Sequence, residues 1–356
     1  RRRRRHRPPA ARTGVDWSAP TPVAHTDLVQ KQTAPVRSAV VVNPTKVTDL
    51  DGLRAAVDAT LAEAGWAAPI WLETTAAEPG RTQARDAAAA GVDVVFACGG
   101  DGTVMSCVAG LVGTDVALAI LPAGTGNLLA ANLGLSTDLA AGLEVAVERQ
   151  TRRLDVGRLD DDRCFVVMAG MGFDASMLAA TSEQAKARIG WPAYVAGAVR
   201  HLRDRPMPVR VQIDDQPAVR TRARTVLVAN VGRLQGGMTL LADAEPDDGL
   251  LDVAVLTPRT LRHWLALAWA LVRGRRRVPR MQVYRGREVS VVSDRDQPRE
   301  LDGDLIEPGA TLRVTVQPAA LLLCVPRPAD DPDLSVDAGA AARRGAALVE
   351  RTRHAQ

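Results

Sequence analysis

Five residues concentrate the chemistry of this chain. Gly99-Gly100-Asp101-Gly102-Thr103 ends the apolar run Val94-Val95-Phe96-Ala97-Cys98 and opens a helix-like stretch. Glycines let a backbone turn sharply and approach a ligand with no Cβ in the way, and the N–H groups of the following helix point at whatever anion sits there. Asp101 does not belong in a site made only for phosphate. A carboxylate among phosphate-binding donors repels the phosphate unless it holds a cation or accepts hydrogen bonds from the nucleotide or from other side chains. A nucleotide kinase needs that combination.

Other polar residues stand at comparable points. Asn43, Pro44, Thr45 and Lys46 make a polar turn after a strand-like run, Thr74 ends the next run, and Gly124-Thr125 opens a second Gly-rich loop. Asn-Pro alone is an ordinary turn. Two donor-rich loops, however, can converge on one triphosphate. Lysine occurs only at Lys31, Lys46 and Lys186, so Lys46 is either a point charge on phosphate or a solvated turn lysine. Further along, Asp247-Asp248-Gly249 and Asp302-Gly303-Asp304 set carboxylates beside glycine, and each also reads as a plain turn between strands.

The elements that must hold these residues alternate in the first half: strands over 39–42, 70–73, 94–97 and 116–121, helices over 50–64, 81–90 and 102–112. The pattern predicts a doubly wound α/β nucleotide-binding domain over 37–150, with its ligand loops at the carboxyl ends of the strands. From residue 151 the pattern changes to short strands (166–168, 209–213, 225–229, 251–256, 288–292, 312–316), which predicts a mostly antiparallel β domain over 151–327. Helical stretches at 193–203 and 261–273 interrupt it, and Gly170-Met171-Gly172-Phe173-Asp174 is expected to start a helix. Residues 1–36 and 328–356 are polar, Pro-rich or charge-rich and read as a disordered basic tail and a mobile C-terminal tail.

The basic character of the chain belongs to its beginning. Residues 1–37 hold nine Lys and Arg against two acids, a net +7 in a chain of net +4, so the remainder is −3. Nucleic-acid binding by the globular part is therefore not expected; a basic arm against anionic lipid, or merely solvated, fits better. The chain opens on Arg1, which leaves room for sequence upstream. Cys98, Cys107, Cys164 and Cys324 show no metal-ligand spacing and read as reduced core thiols of a cytoplasmic protein. No run approaches the roughly 20 apolar residues of a membrane-spanning helix.

The Gly-rich pentapeptide has companions in a fixed order: Val41-Val42-Asn43-Pro44-Thr45, Leu121-Pro122-Ala123-Gly124-Thr125-Gly126-Asn127, Asp247-Asp248-Gly249 and Leu301-Asp302-Gly303-Asp304. Together they resemble the diacylglycerol kinase catalytic family, which includes bacterial diacylglycerol kinases, related lipid kinases and sphingosine kinases. The resemblance implies an ATP- and Mg2+-dependent kinase with a diacylglycerol-like lipid substrate. Asn43, Pro44, Thr45, Lys46, Thr74, Gly99, Gly100, Asp101, Gly102, Thr103 and Thr125 then line the ATP pocket, and Asp304 is the general base. Asp248, with the carbonyls of Glu245 and Leu250, holds a structural magnesium, while Asp155 shares a water and metal network with Asp101. Three positions depart from the family pattern: Leu128 replaces an acid, Met105-Ser106 replaces Asn-Glu, and Asp304 is one methylene shorter than the usual glutamate. A binding module of the same fold without turnover, a sphingoid-base kinase and a soluble sugar or dinucleotide kinase are the competing readings. Whether the chain forms a homodimer is open.

Leu261, Trp264, Leu265, Ala268 and Leu271 fall at helical spacing, and Arg273, Arg275, Arg276, Arg277 and Arg280 follow. This stripe is expected either to pack inward or to lie on an anionic membrane surface, as in a peripherally associated protein.

Overall fold

The computed structural model describes residues 34–123, 128–133, 135, 138–172, 206–232, 240–273 and 278–326. Both tails apart from the few residues at their inner edges, the 193–203 stretch, Thr125 and Arg275 to Arg277 lie outside them.

In the first half, β1 (Ser38–Val42), β2 (Ile70–Glu73), β3 (Val94–Gly99) and β4 (Ala117–Pro122) form a parallel array in the order β2-β1-β3-β4. Alternate residues of these strands serve two cores. Ala39, Val41, Val95 and Ala97 join α2 (Arg81–Ala89) and α3 (Asp101–Leu111), while Val40, Val42, Val94 and Phe96 join α1 (Leu50–Glu63) and α5 (Leu139–Glu148). Helices thus cover both faces of the sheet, which is why its strands are apolar at successive positions rather than alternate ones. The short α4 (Leu128–Asn132) follows β4. Asp49 caps α1 by accepting the Gly52 N–H at 2.8 Å, and Asp138 caps α5 by accepting the Ala141 N–H at 3.1 Å. Close packing of α2 on α3 depends on Gly110, where a Cβ would lie 2.5 Å from the Arg81 carbonyl oxygen.

The second half is mostly antiparallel and continues the same sheet. β7 (Met168–Gly172), β10 (Thr225–Ala229), β11 (Leu251–Leu256) and β12 (Met281–Gly286) extend it on one side of β13 (Glu288–Leu301), and β14 (Asp304–Cys324) lies on the other. β5 (Thr151–Leu159) and β6 (Cys164–Phe165) pair off β14, while β8 (Met207–Ile213) and β9 (Val219–Ala223) pair off β13. The far end of β14 then runs parallel to β4, pairing Leu322 with Ala117 and Leu323 with Leu118. One sheet therefore spans both halves, with β7, β8, β10, β11, β13 and β14 enclosing a second core that includes Met171, Val211, Val228, Val253, Val291 and Leu312.

The architecture is the expected one, with local corrections. Gly170, Met171 and Gly172 of the expected helix start belong to a fully buried strand, because Met168 to Gly172 pair with β10 along their whole length, and Phe173 and Asp174 lie outside the described residues. The strands read at 288–292 and 312–316 belong to much longer ones, β13 and β14. The helix over 261–273 is present as α6 (Leu261–Val272), but its inward residues include Leu267 and Ala270, whereas Leu265 of the expected stripe faces solvent. Among the described residues no helix is long and apolar enough to cross a membrane.

Candidate active site

The carboxyl ends of the parallel strands bring the first set of residues to one level. Val42 stands opposite both Glu73 and Cys98, and Gly99 opposite Pro122, so Asn43, Thr74 and the Gly-rich turn emerge side by side. Asn43 ties them together. Its N–H donates to the Cys98 carbonyl at 2.8 Å, its Oδ1 accepts from the Thr45 N–H and hydroxyl at 3.1 and 2.8 Å, and its Nδ2 lies 3.5 Å from the Thr103 hydroxyl. Thr74 is buried and donates its N–H to the Val42 carbonyl. Lys46 is exposed at the rim.

Gly99 must be glycine: a Cβ would stand 2.6 Å from the Thr103 hydroxyl and 2.7 Å from its Cβ. Gly100, extended at φ −87° and ψ −174°, precedes α3, and its carbonyl accepts from Thr103 and Val104. Its N-cap, Gly100, has no side chain to cap the helix, so the first turn of α3, with Asp101, presents the positive end of the helix dipole at the strand ends. Among the described residues, an added Cβ at Gly100 or Gly102 would meet nothing within 4 Å beyond its chain neighbours and the helix backbone, which leaves room there for a ligand to approach the backbone.

The acceptor-side turn is built differently. β13 and β14 pair Leu301 with Asp304, leaving Asp302 and Gly303 as a two-residue loop with φ +48° and +93°, the left-handed backbone of a tight hairpin turn. Asp302 points inward, and its carboxylate accepts the N–H groups of Val166, Val167 and Met168 at 3.0, 2.8 and 2.9 Å. Burial pushes its carboxyl up to about 7, against the pull of those three donors and with a further upward push from Asp304. Glu300, also buried, accepts the Gly303 N–H at 2.9 Å. Two interior carboxylates thus fix the turn from which the exposed Asp304 projects. Burial pushes the Cys164 thiol up to about 11, with Asp302 adding to the rise and Arg81 and Arg158 opposing it. Next to Arg81, Gly80 packs against the α3 residues Thr103, Ser106 and Cys107.

The carboxylates of the 243–252 loop meet arginines. Asp247 forms a two-pronged pair with Arg152 at 2.7 Å, which holds its carboxyl below the ordinary value. Asp248 accepts the Leu250 N–H at 3.0 Å and lies 3.4 Å from Arg285, which also reaches buried Asp252 at 3.2 Å and the Asp243 carbonyl. Burial raises Asp252 despite that partner. Asp155 is buried and acts as a staple: its oxygens accept the N–H groups of Gly249 at 2.6 Å and Ala319 at 2.7 Å. Among the described residues no group of three or more Asp, Glu, His or Cys is arranged to hold a metal ion. Asp248, expected to act with the carbonyls of Glu245 and Leu250, thus has a guanidinium beside it and accepts the Leu250 N–H. Glu245 is exposed.

Comparison with known proteins bears on the same two halves. Residues 37–159 match the diacylglycerol kinase catalytic domain, and residues 166–325 match the YegS C-terminal NAD kinase beta sandwich-like domain. Residues 37–159 belong to the diacylglycerol kinase catalytic family. A protein named diacylglycerol kinase from Mycobacterium tuberculosis is 34% identical over 179 residues, covering 48% of this chain and 56% of that protein. A protein named "Probable lipid kinase YegS-like" from Klebsiella pneumoniae is 29% identical over 238 residues, 66% of this chain and 78% of its own length. The chain thus spans little more than half the length of the mycobacterial relative. The crystal structure of a diacylglycerol kinase from Bacillus anthracis superposes with a TM-score of 0.67 at 20% identity, covering 83% of this chain and 98% of that one, a likeness of fold.

Asn43, Pro44, Thr45, Thr74 and residues 99–103 share one crevice edge. Asp155, Glu245 and Asp248 gather at the acidic loop, and Asp304 stands at the hairpin turn. Sequence reasoning missed Glu300, Arg81 and Arg285. Glu300 sits in a charged, Pro-containing stretch that reads as a loop, so no periodicity announced a buried acid.

Proposed function

We propose that this chain is an ATP-dependent lipid kinase that transfers the γ-phosphate of ATP to a hydroxyl of diacylglycerol or a related lipid, working in the cytoplasm at a membrane surface. Residues 37–150 take the nucleotide, and residues 151–327 present the acceptor. The observation that carries this reading is the Gly-rich turn that opens α3 at the carboxyl ends of the parallel strands, level with Asn43 and Thr74, a cradle for phosphate.

In this mechanism the acceptor oxygen attacks the γ-phosphorus as the bond to the β–γ bridging oxygen breaks, and ADP departs. Asp304 accepts the hydroxyl proton and returns it to solvent. Backbone N–H groups at the start of α3, with Asn43 and the threonines, orient the triphosphate. Asp101, at the mouth of the turn, is the carboxylate placed to meet Mg2+ bound to that triphosphate, and the ion would neutralise charge on the transferring group; one carboxylate plus substrate phosphates is a usual magnesium environment. A structural magnesium on Asp248 and the carbonyls of Glu245 and Leu250 would need Arg285, 3.4 Å from Asp248, to move aside.

The test is incubation of the purified chain with labelled ATP, Mg2+ and a panel of defined lipids. Label is expected in diacylglycerol. Label in a sphingoid base instead would move the acceptor class, and ATP binding with no lipid labelled would refute the kinase reading.

A further inference from the structure

α6 presents two faces. Leu267 and Ala270 bury into the core shared with α3, while Arg262, Leu265, Ala266, Trp269 and Arg273 recur at three- and four-residue spacing on the outer side. Leu265 is 52% exposed and Trp269 is 54% exposed, and these are the two most exposed large apolar side chains among the described residues. The Arg273 guanidinium lies over the Trp269 ring, 4.3 Å from its centroid. At the helix ends Arg259 and Arg280 are also exposed. The sequence around the helix is one-signed: residues 253–287 contain nine arginines, of which Arg285 is paired with Asp248 and Asp252, and no acid, whereas the chain outside this segment and residues 1–37 carries −12. A charge so concentrated, in a molecule otherwise net acidic, is a field for steering rather than for solubility.

We propose that the outer face of α6 is the membrane-docking surface of this protein, with Trp269 and Leu265 entering the interfacial region of an anionic bilayer and Arg262 and Arg273 meeting lipid phosphates. An indole with its ring against the acyl boundary and an arginine folded over it satisfies both the apolar and the charged layer of a lipid surface. The absence of acids from 253–287 matches an anionic lipid better than a mixed-charge protein surface. This assignment rests on the lipid-kinase reading for its biological purpose, but vesicle binding needs no ATP and no turnover, so each fails independently.

The experiment is co-sedimentation of the full chain with phosphatidylcholine vesicles, with and without phosphatidylglycerol, at low and high salt. Binding is expected only with the anionic lipid and should weaken as salt rises. Arg262→Gln with Arg273→Gln should weaken it roughly 30-fold, about fivefold for each arginine at such a surface. Leu265→Ser with Trp269→Ala should weaken it roughly tenfold through lost apolar insertion. All four side chains are exposed, so both variants should melt as the parent does; a variant that melts early is replaced by Trp269→Gln alone. Phosphorylation of detergent-dispersed acceptor should be unchanged in each. Unaltered sedimentation in both variants, or equal binding to neutral vesicles, overturns the proposal. So does a face that instead seats a second copy, seen as a dimer that the Leu265/Trp269 variant dissociates while vesicles bind neither form.

Discussion

Asp302 offers the sharpest physical test, because its carboxylate is buried and yet faces three backbone donors. The fold lifts its carboxyl from 3.8 to about 7. A raised acid is less willing to ionise in the folded chain than in the unfolded one, so the unfolded chain sheds the proton first as pH rises. Stability from this group is therefore full below the unfolded value and is lost between there and about pH 7, after which it levels off. Between about pH 4.5 and pH 8 the loss amounts to about 3 kcal/mol. Asp302→Asn cannot titrate and tolerates the left-handed backbone at this position. Urea melts of parent and variant across that range should show their stability difference drifting by about 3 kcal/mol in favour of the variant as pH rises. A flat difference would mean that burial does not govern this carboxyl. A drift of opposite sign would mean that the Val166, Val167 and Met168 N–H groups hold it as an anion and lower its pKa, which would refute the reasoning.

Gly99→Ala should cost about 1–3 kcal/mol through the clash with Thr103 and, by displacing the turn, weaken phosphate contacts; unchanged nucleotide affinity by calorimetry would count against the cradle. Asp101→Ala should abolish transfer while the melting temperature holds, and turnover within roughly tenfold of the parent would remove Asp101 from the site. Asp304→Asn should cut kcat by roughly 100-fold or more with ATP affinity preserved, since the amide keeps size and loses basicity. Asp304→Glu reports whether the hairpin has adapted to the shorter acid: a lower rate says that it has. Glu300→Gln, which keeps an acceptor for the Gly303 N–H, should lower kcat less than Glu300→Ala, with KM for ATP unmoved in both.

Much of the first half was legible because local signals agree with one another there. Apolar strand runs end in Asn43, Thr74 and Gly99, and the helices between them have clear periods, so the crevice edge follows from topology. The second half was less legible. β13 carries Asp294, Asp296, Pro298 and Glu300, and besides its hairpin partner β14 its pairing is set by β7 and β8, both distant in sequence. The resemblance supplied Asp304, but only coordinates show that Asp302 turns away from solvent to grip β7. In α6 the helix was legible but the place of Leu265 was not: the segment is apolar nearly all round, and tertiary packing put Leu267 and Ala270 in the interior and left Leu265 exposed.

The pairing of β14 with β4 also orders events during synthesis. β4 emerges from the ribosome with one edge matched to β3 and the other open, and its partner Leu322-Leu323 is made about 200 residues later, roughly ten seconds or more at ordinary elongation rates. For that interval the nascent nucleotide half presents an unpaired, apolar parallel edge at Ala117 and Leu118, of the kind that recruits wrong strands. Chaperone dependence and misassembly during expression should therefore track the last strand: truncations before Leu321 should strand the first half in an aggregating state, even though every residue of its Gly-rich turn has already been made.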